Sequence, residues 1–173
     1  MKKIIVFAVL VLSVVGSVYA ANNQILMKPM NAVLAEDPRN TGIKIESHYK
    51  DYVQPSVLVI NIESIPGDKS PADVFRILLQ YAHRVQEMDF ENVLLNSKGT
   101  TKFMLKGSYF KKIGTEYKVQ NPVYTMRTFP ENVYLPNGSR AFSSWSGGLL
   151  GVTRKQIEDF TEFHKRWYIE DML

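Results

Sequence analysis

Ser108-Tyr109-Phe110-Lys111 sets a hydroxyl and an amine three residues apart. On a helix this spacing brings them within one turn, where a neutral lysine can take the proton of a serine nucleophile. The other parts of such a site do not follow. There is no Ser-Asp-Asn element, and Lys98-Gly99-Thr100 precedes the serine. Ser108 as a plain helix N-cap also explains the match. The expectation is therefore no catalytic residue and no enzyme. A serine hydrolase built on Ser108 and Lys111 is the last of three functional readings.

The second cluster is Gly147, Gly148 and Gly151, followed by Thr153 and Arg154. Glycines that run into a helix start can offer free N–H groups to an anion. The spacing is neither a P-loop nor Gly-x-Gly-x-x-Gly. A flexible turn that tucks Leu149 and Leu150 inward is the simpler expectation. As a ligand site the turn would draw on Gly147, Gly148, Gly151, Thr153 and Arg154, with His164 as a possible pocket residue. His164 falls among Ile157, Phe160, Trp167 and Tyr168, so the plain reading is a hydrogen-bonded, partly buried histidine. His48 and His83 stand far from it in the sequence. No His-x-His or His-Glu-x-x-His occurs, so no metal site is expected. The chain has no cysteine, which removes thiol catalysis, thiolate ligands and disulfides. No cofactor is expected.

These residues need elements to hold them. The stretch from Ser56 to Met88 organises the rest. Val57 to Ile62 reads as a strand with Leu58, Ile60 and Ile62 on one face. Ser70-Pro71-Ala72-Asp73 reads as a helix start with an N-cap serine and a first-turn proline. The helix at 71–87 gathers Val74, Ile77, Leu78, Tyr81, Ala82 and Val85 in one sector. Ile43–Glu46, Asn92–Leu95 and Thr101–Leu105 read as strands, the last two joined in a hairpin. Tyr109 to Lys118 has helical spacing weakened by Gly114. Val123 to Phe129 reads as a strand, and residues 133–142 as a second hairpin around Pro136-Asn137-Gly138. Thr153-Arg154-Lys155-Gln156 reads as a capping box that opens a C-terminal amphipathic helix. That helix carries Phe160, Phe163, Trp167 and Tyr168 on one face. The face is expected in the core, with a partner-binding surface as its alternative.

The expected fold is α+β in one domain. Its order, β-α-β-β-α-β, is the split, ferredoxin-like one, with an added β-hairpin and a C-terminal amphipathic helix. Residues 1–20 read as a signal peptide: Lys2 and Lys3, an apolar run from Ile4 to Val15, then Val18-Tyr19-Ala20 before the cut. Residues 21–42 read as an irregular arm, and 43–173 as the domain. The net charge of +4 owes two units to Lys2 and Lys3, so it argues for no particular partner. Export makes nucleic acid improbable as a ligand, and no segment after the cut is apolar enough to span a membrane.

The expected compartment is the bacterial periplasm, or the exterior. The leading functional reading is a non-catalytic envelope protein that binds another envelope protein or supports an assembly. The alternative is a small-ligand or anion binder using the turn at Gly147–Thr153.

Overall fold

The computed structural model describes residues 2–173, except the side chains of 2–6, 8, 9, 11, 149 and 150. The inward tuck expected for Leu149 and Leu150, and the side chains of Lys2 and Lys3, lie outside the described residues. The chain forms one five-stranded sheet with helices, an α+β protein. The strands are β1 (Lys44–Lys50), β2 (Gln54–Ser64), β3 (Asn92–Ser97), β4 (Thr100–Lys106) and β5 (Val133–Tyr134).

Their spatial order is their chain order. β1 and β2 are antiparallel, β2 and β3 are parallel, and β3 to β5 are antiparallel. The split order expected from the sequence would insert a strand between β2 and β3. Here Val57 pairs directly with Asn92 and Ile62 with Ser97, so the crossover helix joins neighbours.

That crossover is α3 (Pro71–Arg84), the best-specified helix in the chain. Ser70 accepts from the Asp73 N–H while the Asp73 carboxylate accepts from the Ser70 N–H, a reciprocal cap behind a first-turn proline. Its buried face, from Val74 to Ala82, meets Leu58, Ile60, Ile62, Val93 and Leu95 in one core. β2 and β3 therefore bury long apolar side chains against α3, as parallel neighbours joined by a helix do.

Three expectations are corrected. Residues 21–36 are helical: α1 (Lys2–Asn22) passes through a wide π turn (Asn23–Met27) into α2 (Lys28–Glu36). Pro29 reads as a breaker, but it falls in the first turn of α2, where its missing N–H is tolerated. The Lys28 N–H reaches back five residues to the Asn23 carbonyl, the wider ring that carries the helix past the proline. Leu26, Met30 and Val33 are fully buried, so this segment belongs to the core.

Second, residues 122–128 form helix α5 (Pro122–Thr128), not a strand. The alternation of Val123, Thr125 and Tyr124, Met126 suggests β structure, but Asn121-Pro122 is a helix start. The Asn121 side chain accepts from the Val123 N–H.

Third, the C-terminal helix α6 (Leu149–His164) begins at an N-cap Gly148, five residues before the expected cap Thr153. The Val152 N–H already donates to the Gly148 carbonyl, 3.1 Å away. α6 runs on through a π turn (Lys165–Ile169) into α7 (Glu170–Met172). The second hairpin is short: β5 adds one bridge, Tyr134 to Arg140, around the turn at Gly138.

Among the described residues, no helix is long and apolar enough to cross a membrane.

Candidate functional site

Helix α4 (Gly107–Glu116) carries both members of the Ser108/Lys111 pair. Its N-cap is Lys106, so Ser108 sits inside the first turn and is not the cap expected from the sequence. Ser108 is exposed. The Lys111 Nζ donates to the Asp89 Oδ1 at 2.7 Å. That hydrogen bond raises the lysine pKa and holds it as an ammonium. An ammonium has no lone pair with which to deprotonate Ser108.

The glycine turn does not assemble with His164. Gly148 and His164 stand at opposite ends of α6, about 24 Å apart at 1.5 Å per residue. Gly151 and Thr153 are helical rather than part of a loop. Arg154 lies outside, 3.7 Å from the Glu158 carboxylate. The turn is fastened to the helix it precedes: the Trp145 indole N–H donates to Asp159 at 2.6 Å, and the Lys155 ammonium lies 5.1 Å from the Trp145 ring centre. Gly147 supplies the positive φ, 129°, that turns the chain into α6.

His164 is fully buried, and neither ring nitrogen has a hydrogen-bond partner. This corrects the expectation of a partly buried, hydrogen-bonded imidazole. Phe75, Phe160, Phe163, Trp167 and Tyr168 surround it, with ring centres 4.6–6.3 Å away. Burial alone pushes its pKa down to about 3, so the ring is neutral.

Phe160, Phe163, Trp167 and Tyr168 are buried in the same place, and the Trp167 indole donates to the Asn96 carbonyl at 3.1 Å. The aromatic face of α6 and the turn after it thus closes the core against β3, β4 and α3 and presents no surface to a partner.

Tyr52, Val53, Ile157 and Leu173 are exposed singly or in pairs at separate places on the domain, and a set of three lies elsewhere. Val119 is 84% exposed, Val123 58% and Tyr124 54%. They flank the junction of α4 and α5, where the sequence reading ends a helix before Asn121-Pro122 and takes Val123 to Phe129 as a strand. The cue was present in Asn121-Pro122, because a helix there turns Val123 and Tyr124 outward together.

Two clefts border α5. One, about 280 Å³, is lined chiefly by apolar side chains: Phe75, Leu79, Ile113, Tyr117 and Met126. The other, about 490 Å³, is more polar than the first and lies between α4 and α5. Its walls include Ser108, Lys112, Glu116, Tyr124, Thr128 and Glu131. Both walls are firmly set. Gly114 lets α4 approach α3 closely, and the Asn132 side chain donates to the Thr128 carbonyl at the end of α5.

A third cleft, about 150 Å³, lies where the N-terminal helix meets β1. Tyr19, Tyr52 and His48 form a stack there, with Tyr52 at φ 62°. The described residues contain no group of three or more His, Asp or Glu placed to hold a metal.

No family model, curated protein or solved structure matches this chain.

Proposed function

We propose that this chain is an exported envelope protein that acts by binding another envelope protein, with the junction of α4 and α5 as its working surface. The observation that carries the reading is the outward-facing set Val119, Val123 and Tyr124. Scattered exposed apolar residues are ordinary, but three within six residues, bordered by clefts, fit an interaction site. α5 holds its place through its own cap and its contact with α6, so these side chains are not needed to bury a core.

Export is supported by Lys2-Lys3, the apolar run and Val18-Tyr19-Ala20. The periplasm is the compartment that fits a cysteine-free chain of this kind. A non-catalytic role is supported by the engagement of Lys111 with Asp89, which leaves Ser108 without a base.

A photo-crosslinking residue at position 123 tests the surface in growing cells, with position 154 on the exposed side of α6 as control. Position 123 should give a discrete protein adduct in the envelope fraction, and position 154 should not. Equal labelling from both positions, or adducts with cytoplasmic proteins only, would count against the reading.

A further inference from the structure

The polar cleft on the other side of Tyr124 has a chemistry of its own. We infer that the groove between α4 and α5 binds a saccharide, neutral or amine-bearing, with one sugar ring stacked on Tyr124. This goes beyond the protein-binding surface of Val119, Val123 and Tyr124, with which the groove shares the Tyr124 ring, and the two are read out by different measurements.

The volume, about 490 Å³, lies in the range of small-molecule sites. Tyr124 offers a half-exposed aromatic face on one wall. Such a face attracts the polarised C–H groups along one side of a pyranose ring while leaving the sugar hydroxyls free to bond sideways. The hydrogen-bonding groups around it include three acceptors, Thr128, Glu131 and Glu116, beside the Lys112 donor and Ser108, Tyr109 and Asn132, which can do both. The Thr128 hydroxyl spends its proton on the Tyr124 carbonyl at 3.0 Å, so it faces the groove as an acceptor. Glu131 receives the Gln156 amide on one oxygen, 3.0 Å away, and keeps a second. Glu116 adds another carboxylate, with the Lys112 ammonium 4.0 Å from it. Ser108 can donate or accept.

A ligand that satisfies these acceptors must be rich in donors, as a polyol is. Two carboxylates against one ammonium leave the groove net negative, which disfavours an anion and tolerates an amine. The walls are preorganised. Gly114 fixes α4 on α3, and the Asn121 cap with Pro122 fixes the start of α5. A preformed site limits the ordering entropy that would otherwise weaken binding of a small, hydrated ligand.

Amide chemical-shift titrations of the purified protein test this with three probes: the trimer of N-acetylglucosamine (neutral), the trimer of glucosamine (cationic) and the trimer of galacturonic acid (anionic). Shifts should centre on residues 108–132 for the first two probes and be absent for the third. Tyr124→Ala should weaken binding at least tenfold without moving the melting temperature, because the ring is on the surface. Glu116→Gln should weaken the cationic probe more than the neutral one. The inference is overturned if neither the neutral nor the cationic trimer shifts α4 and α5, if Tyr124→Ala binds as wild type does, or if the anionic trimer binds as well as the others. None of these outcomes bears on a protein adduct formed from position 123.

Discussion

His164 is the residue whose setting departs most from ordinary rules. A neutral imidazole carries one donor and one acceptor, and burying both without partners is costly. The arrangement has a sign that can be worked out. The folded pKa of about 3 lies below the ordinary value of 6.5, so the unfolded chain binds the proton first. Stability is therefore whole above about pH 6.5 and falls as the pH drops toward 3. At pH 5 the loss from this one group is about 2 kcal/mol. Urea denaturation at pH 7.5 and pH 5 should show a drop of that order in wild type. His164→Leu removes the titration, so the drop should shrink by about the same amount. An unaltered pH dependence in the variant would mean that other groups carry it. In the sequence, helical spacing was enough to place His164 among aromatics. The absence of a partner was not legible, because partners come from β3 and α3, far away in the chain.

At the scale of elements, the glycines of α4 show how a local rule yields to packing. Gly114 lowers helix propensity, and on the sequence it only weakens the helix. In the fold, a Cβ at that position would lie 2.4 Å from the Ala82 carbonyl oxygen, which is backbone and cannot move aside. The close crossing of α3 and α4 depends on it. Gly114→Ala should therefore destabilise by about 1–3 kcal/mol despite the better propensity of alanine. A rise in the melting temperature would show that the crossing relaxes freely. The reading of β2, α3, β3 and β4 from periodicity came close to the observed bounds because long-range packing and local pattern agree there. α5 was misread because seven residues are too few to separate a two-residue from a 3.6-residue period. The Asn121-Pro122 cap, a single local feature, decides it. The start of α6 was misread for the opposite reason: Thr153 begins a plausible box, yet the chain is already helical from Leu149.

At the scale of the whole molecule, the joint between the N-terminal helix and the sheet bears on where the domain begins. Asn22 is buried at the foot of α1. Its side chain accepts from the Tyr49 N–H and donates to the Tyr52 carbonyl, each at 2.8 Å. It thereby braces the turn in which Asp51 and Tyr52 take positive φ, a conformation that aspartate tolerates and that is costly for tyrosine. A cut after Ala20 would leave Asn22 as the second residue, so the joint would survive export. A chain starting at Ala21 should match the longer chain in denaturation midpoint. One starting at Asn23 should lose about 1–3 kcal/mol, the cost of leaving a buried polar group unpaired. Equal midpoints for all three would show that the Asn22 brace carries little.

The proposed working surface also belongs to this scale, since Val119, Val123 and Tyr124 come from the turn after α4 and from α5 together. The most direct measurement is the double variant Val119→Asp, Val123→Asp with the photo-crosslinking residue moved to position 124, compared with the same crosslinking chain without the two substitutions, followed by its melting curve and by recovery of the crosslinked envelope complex. The expected result is a melting temperature close to wild type, because both side chains already face water, together with loss of the adduct. A full yield of adduct from a folded double variant would contradict the assignment of this face as the binding surface.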